Sequence, residues 1–155
     1  MKRPDNRGFT LMEVMVVVAI MGILAGVVSL SMNHIFSSRT RKFVSACDAM
    51  LTRCRVETLS GAGADTCVEL RTDGEHYTVC FRKNGAVEDE ETLKCAGSAC
   101  TYTVSGAEVS LTSAAPLLLS FDRTTGALNQ PCTNITVGSF SITLAPATGY
   151  HKLGG

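Results

Sequence analysis

Residues 9–32 form an almost unbroken apolar run, FTLMEVMVVVAIMGILAGVVSLSM, in which Glu13 is the single charged side chain. Such a run is long enough to cross a bilayer as a helix. A carboxylate near its start costs about 2.5–3.5 kcal/mol on insertion scales, so Glu13 needs a reason to be there. From 33 to about 59 the pattern changes. Ile35, Phe36, Phe43, Val44, Ala46, Cys47, Met50, Leu51 and Cys54 recur at three- and four-residue spacings, which predicts a helix with one apolar face. Arg39, Arg41, Lys42, Arg53 and Arg55 occupy its wetter faces, and Ser60-Gly61-Ala62-Gly63 ends it.

Beyond residue 61 the period shortens to two. Residues 67–72 and 75–81 alternate on either side of Asp73-Gly74, a two-residue hairpin signal. With that turn Thr72 faces Glu75 and Cys67 faces Cys80, while Val68, Leu70, Tyr77, Val79 and Phe81 share the buried face. Residues 83–94, with Glu88-Asp89-Glu90-Glu91 in a row, read as a solvated loop. A second hairpin pairs 101–104 with 107–111 around Ser105-Gly106. Short strands follow at 117–122, 127–128, 135–137 and 139–144, and 146–149 turns into 150–153. The predicted class is α+β: a long N-terminal helix, membrane-spanning in its first half and amphipathic in its second, packed on a head of antiparallel strands.

Seven cysteines in 155 residues argue for disulfides in an oxidising compartment. No two cysteines form a CxxC pair, and His34, His76 and His151 lie far apart, so zinc spacing is absent. Cys47 and Cys54 share a helical face about 10 Å apart along the axis. That is beyond disulfide reach, so each is a candidate for pairing with the head. Cys67–Cys80 across the first hairpin and Cys95–Cys100 across a short loop are candidate local bridges, and Cys132, in a loop, is a candidate partner for Cys47 or Cys54. The odd count leaves at least one thiol unpaired within the chain.

The chain starts MKRPDNRG, with Lys2, Arg3 and Arg7 against Asp5. This basic start predicts a cytoplasmic N-terminus. A cleavable secretory signal places its small-residue site after the apolar core; here Gly8 precedes it. The order of a short basic leader, Gly8, the aromatic Phe9, Glu13 and an uninterrupted apolar run resembles the type IV prepilin signal of pilins, pseudopilins and competence pilins. The resemblance implies cleavage between Gly8 and Phe9 by a prepilin peptidase and N-methylation of Phe9. It further implies an assembly role for Glu13, whose carboxylate would meet the new Phe9 amine of its own chain or of a neighbouring subunit. Opposite charges in low dielectric stabilise each other far more than in water, and either alone is costly. Gly22 and Gly26 have the small-xxx-small spacing that allows close helix contact. Residues 119–128 (LSFDRTTGAL) and 141–153 (SITLAPATGYHKL) resemble the C-terminal region of the GspH/FimT group of minor pseudopilins and minor pilins.

On this reading residues 1–8 are a leader, 9–32 the membrane and filament-core segment, 33–60 the amphipathic segment and 61–155 the exported head. The implied partners are other pilin or pseudopilin subunits, the prepilin peptidase, an inner-membrane assembly platform and membrane lipid. The cluster Arg39, Arg41 and Lys42 reads equally as a contact for anionic headgroups and as a solvated helix face. The formal net charge is zero, and no basic patch interleaved with aromatics favours nucleic acid, so DNA uptake enters only through the family. No Gly-rich phosphate loop, Gly-x-Ser-x-Gly or metal-binding histidine pair is present. The chain reads as a structural subunit without cofactor or metal, not an enzyme. The rival is a signal-anchored exported binding domain that is not built into a filament.

Overall fold

The computed structural model describes residues 10–61, 65–95 and 99–154, without the side chains of 27–36. Among the described residues helix α1 (Leu11–Leu59) is followed by nine strands. The chain divides into two compact units, Met1–Ser37 and Ser38–Gly155.

In the first unit the described side chains of α1, 11–26, are all exposed. Leu11 is 79% accessible and Ile23 68%, although a helix that is apolar on every side calls for an apolar surrounding. Among the described residues no helix is long and apolar enough to cross a membrane. The expected span 9–32 falls partly outside them, at residue 9 and in the side chains of 27–32.

In the second unit the predicted apolar face is buried. Phe43, Val44, Cys47, Met50, Leu51 and Cys54 are all in the core, joined by Thr40 and Thr58. Ala46 is half-buried, and the side chains of Ile35 and Phe36 lie outside the described residues. The helix closes at Ser60 and Gly61, where Gly61 takes φ +69°, the left-handed conformation that commonly ends helices.

Two antiparallel sheets follow. The first has the order β3-β2-β1-β6 and the second β5-β4-β7-β8-β9. β1 (Thr66–Thr72) and β2 (His76–Lys83) form the expected hairpin, but in another register. Thr72 faces Tyr77, so Cys67 faces Arg82 and Cys80 faces Glu69. The predicted Cys67–Cys80 opposition is therefore corrected to a diagonal neighbour relation. The cause is local: Asp73 Oδ1 accepts from the backbone N–H of Glu75 (2.8 Å) and of His76 (2.6 Å), holding four residues in the turn. A two-residue shift preserves the side-chain faces, whereas one residue would invert them. Val68, Leu70, Val79 and Phe81 are accordingly buried, with Tyr77 packed at the core's edge.

The acidic stretch read as a loop is a strand. β3 (Ala86–Lys94) pairs with β2, entered by a tight turn with Asn84 at φ 51° and Gly85 at φ 80°, the pattern of a type I′ hairpin. Three of its four carboxylates are matched by cations: Glu88 with Arg53, Glu91 with Lys42 (3.0 Å) and Glu90 with Arg71 (3.6 Å). β4 (Cys100–Val104) and β5 (Ala107–Ser110) form the second predicted hairpin. β6 (Leu117–Leu119) joins β1 rather than continuing toward 127–128; only an isolated bridge links Phe121 to Leu128. β7 (Cys132–Val137), β8 (Phe140–Ala145) and β9 (Tyr150–Gly154) complete the second sheet, so Cys132 opens a strand instead of lying in a loop.

The segments 119–128 and 141–153 converge through their glycine turns. Gly126 (φ +70°) and Gly149 (φ +64°) lie so close that a Cβ on Gly149 would sit 1.9 Å from the Gly126 carbonyl oxygen. Arg55 of α1 donates to the Thr148 carbonyl at 2.9 Å. A Cβ on Gly126 would meet Leu59 at 3.3 Å. The pair thus docks on the last turns of the helix.

Candidate functional site

Within the first unit, chemistry concentrates at the start of α1. The Glu13 N–H is directed at both the carbonyl (3.0 Å) and the hydroxyl Oγ1 (3.3 Å) of Thr10. Thr10 is therefore the helix cap, and Thr10-Leu11-Met12-Glu13 has the sequence of a capping box, a signal the hydropathy pattern alone does not reveal. Glu13 lies in the first turn, where a negative charge is also favoured by the helix dipole, by about 0.3–1 kcal/mol. Its side chain is exposed. Gly8 and Phe9, the expected cleavage and methylation positions, lie outside the described residues.

Next to this end runs an exposed apolar surface including Met12, Val16, Ile20, Ile23 and Leu24. Nothing lies within 4 Å of where a Cβ would stand at Gly22 or Gly26, so that side of the helix is open to close approach.

Residues 3–29 match the family described as the prokaryotic N-terminal methylation motif. This is a type IV prepilin-like signal. It implies processing by a prepilin peptidase, contact with other pilin subunits, and membrane anchoring with an exported head. No curated protein and no solved structure matches the chain.

The second unit holds all seven cysteines, each a free thiol. Cys47, Cys54, Cys80, Cys100 and Cys132 are buried, whereas Cys67 and Cys95 are partly exposed. Burial pushes the Cys100 thiol up to about 12, with Cys95 nearby adding to the rise. Burial likewise moves Cys54 and Cys132 to about 11 each, and Cys47 is raised by burial and by the nearby Cys100. Cys95 and Cys100 thus lie by Tyr77, whose hydroxyl accepts from the Cys100 N–H at 3.3 Å, and Cys47 lies near Cys100. Cys54 lies by Thr58 and Thr66, whose hydroxyls are 2.8 Å apart. Cys80 is set between Glu69 and Glu90 on the outer face of the first sheet, and Cys132 lies near the Asn134 carbonyl. Among the described residues no group of three or more His, Cys, Asp or Glu is placed to hold a metal ion.

Ion pairs join α1 to the first sheet. Glu57 accepts from Arg53 and Lys83, each at 2.9 Å, and the Lys83 bond foremost holds its carboxyl below the usual range. Arg53 also caps the Phe81 ring, 4.4 Å from its centroid. These contacts fix the helix on the sheet; they gather no nucleophile and base.

Proposed function

We propose that this chain is a minor pilin or pseudopilin, a structural subunit of a type IV pilus or type II secretion pseudopilus, acting in a priming or tip role. The single observation that carries this is the methylation motif at residues 3–29, on a helix whose described apolar side chains at 11–26 are all exposed. Before assembly, residues 9–32 span the cytoplasmic membrane with the N-terminus inside and the head exported. Cleavage after Gly8 gives Phe9 a cationic amine, which is then methylated. On joining a filament the apolar segment exchanges lipid for neighbouring helices, and Glu13 of one subunit neutralises the Phe9 amine of another. The charges are stable in that apolar setting only as a pair, so the pair sets register.

The minor assignment rests on the likeness of 119–128 and 141–153 to the GspH/FimT group. Disulfide formation belongs to the same proposal, with Cys95–Cys100 as the local bridge and Cys47 and Cys54 as helix-borne partners for the head. The role is assembly rather than catalysis, and it calls for no cofactor.

Filament shearing tests the proposal. Wild-type chain is expected in the sheared fraction in small amount relative to the most abundant subunit, with Glu13→Val processed but retained in the membrane. A wild-type chain found only in the membrane of cells that make filaments would instead support the anchored binding domain.

A further inference from the structure

We propose that a cavity at the start of the second unit's helix binds a phosphate-class oxyanion. The cavity has a volume of about 360 Å³ and takes its walls from three elements: Arg39 and Lys42 from α1, His76 from β2, and Glu91, Thr92 and Lys94 from β3. Among the described residues Glu91 is the one carboxylate that lines it, and it already accepts from Lys42 at 3.0 Å. Among the described residues neither Arg39 nor Lys94 has an ion-pair partner. Two unpaired cations therefore line one concave site, Arg39 from α1 and Lys94 from β3, together with Thr92, two residues before Lys94 on the same strand.

The neighbouring cavity shows why this one is singled out. It is larger, about 570 Å³, and shares His76 and Thr92. There, however, Arg71 is paired with Glu90 at 3.6 Å and His76 lies 3.6 Å from Asp73, so its charges are matched internally. Of these two cavities, the smaller is the one whose described lining residues carry a surplus of positive charge.

The donor set fits a tetrahedral oxyanion. A guanidinium offers a planar fork of N–H donors to two oxygens, an ammonium adds a point charge, and a hydroxyl can meet a third oxygen. A phosphate presents three or more such acceptors in directions that donors from three elements can meet. The group has two possible sources. One is a soluble phosphate. The other is an anionic lipid headgroup: Arg39 follows the last residue of the apolar run by seven positions. That source rests on the membrane reading above; the oxyanion site does not.

The test uses the full-length chain in zwitterionic micelles, followed by amide NMR during two titrations. One uses inorganic phosphate, the other short-chain phosphatidylglycerol. Saturable shifts at His76, Thr92 and Lys94 are expected, and Arg39→Gln/Lys94→Gln should weaken binding at least tenfold. Lys152→Gln, an exposed lysine elsewhere, should bind as wild type. Because Arg39 and Lys94 are unpaired, the double variant should keep the wild-type thermal midpoint. Saturation by both ligands assigns the site to phosphate itself, and saturation by the lipid alone assigns it to the headgroup. Absence of saturable shifts with either, or unchanged binding in the double variant, overturns the proposal. A chain that binds phosphate yet never enters filaments would leave this site standing and remove the pilin reading alone.

Discussion

Two stretches of helix α1 treat apolar side chains in opposite ways. Between 11 and 26 every described side chain is exposed, whereas between 40 and 58 a stripe of side chains is almost wholly buried. The first stretch is the more hydrophobic, so apolar content does not decide burial within this chain. Pattern does: the second stretch confines its apolar residues to one face, which one sheet surface can cover, and keeps arginines for the remainder. The first stretch is apolar all round and would need a surrounding of the same kind, such as lipid or other helices.

The comparison breaks most sharply under matched truncations in the two stretches. Leu51→Ala should destabilise the head by roughly 2–5 kcal/mol, read as a lower denaturant midpoint, because Leu51 is 1% exposed. Leu24→Ala, at a side chain 59% exposed, should leave that midpoint unchanged. Equal losses would mean that the first stretch is part of the head's cooperative unit.

Gly149→Ala should come next, at about 2–4 kcal/mol. The added Cβ meets the Gly126 carbonyl oxygen, and the φ of +64° disfavours any side chain. Thermal unfolding would show it, while Gly22→Ala, where a Cβ meets nothing within 4 Å, should not shift the head's midpoint.

Thiol alkylation sharpens the picture of the second stretch. Cys67 and Cys95 should react first in the folded, reduced protein, since the others are buried, and burial also holds Cys47, Cys54, Cys100 and Cys132 protonated well above neutral pH. Peptide mapping after brief labelling would measure this. Early labelling of Cys54 would show that the end of the helix detaches readily.

The smallest effect concerns the turn that carries Gly126. Asp122 Oδ1 accepts from the Thr125 N–H (2.8 Å), the Thr125 hydroxyl (2.9 Å) and the Thr124 N–H (3.0 Å), and these bonds, Thr125's first, hold its carboxyl below the usual range. A depressed folded-state value contributes stability above the ordinary carboxylate range and loses it as pH falls through the folded value. Wild type should therefore lose slightly more stability on acidification than Asp122→Asn. Identical acid slopes would remove Asp122 from the account.

How legible this was in the sequence depended on which signal each element used. The helix face of 43–54 and the strand faces of 68, 70, 79 and 81 were readable because burial follows period, and period survives a two-residue change of register. The register itself was not readable: Asp73-Gly74 suits a two-residue turn as well as the four-residue turn that Asp73 Oδ1 holds together. β3 was missed because its stability comes from ion pairs with α1 and β1 and from pairing with β2, not from apolar alternation. Asn84-Gly85 was the signal that could have found it. At the candidate site Glu13 was visible as a charge out of place, and Thr10 could have been found from the capping-box spacing Thr10-x-x-Glu13 that its hydrogen bond from the Glu13 N–H realises. The anion cavity had no sequence signature, since Arg39, His76 and Lys94 come together only through the sheet.

The central claim is that residues 1–8 are removed and Phe9 becomes the methylated end of a filament subunit. Intact mass and N-terminal sequencing of the chain recovered from membranes of its native host test it most directly. The account predicts a chain beginning at N-methylated Phe9. A chain still beginning at Met1, in a host with an active prepilin peptidase, would contradict it.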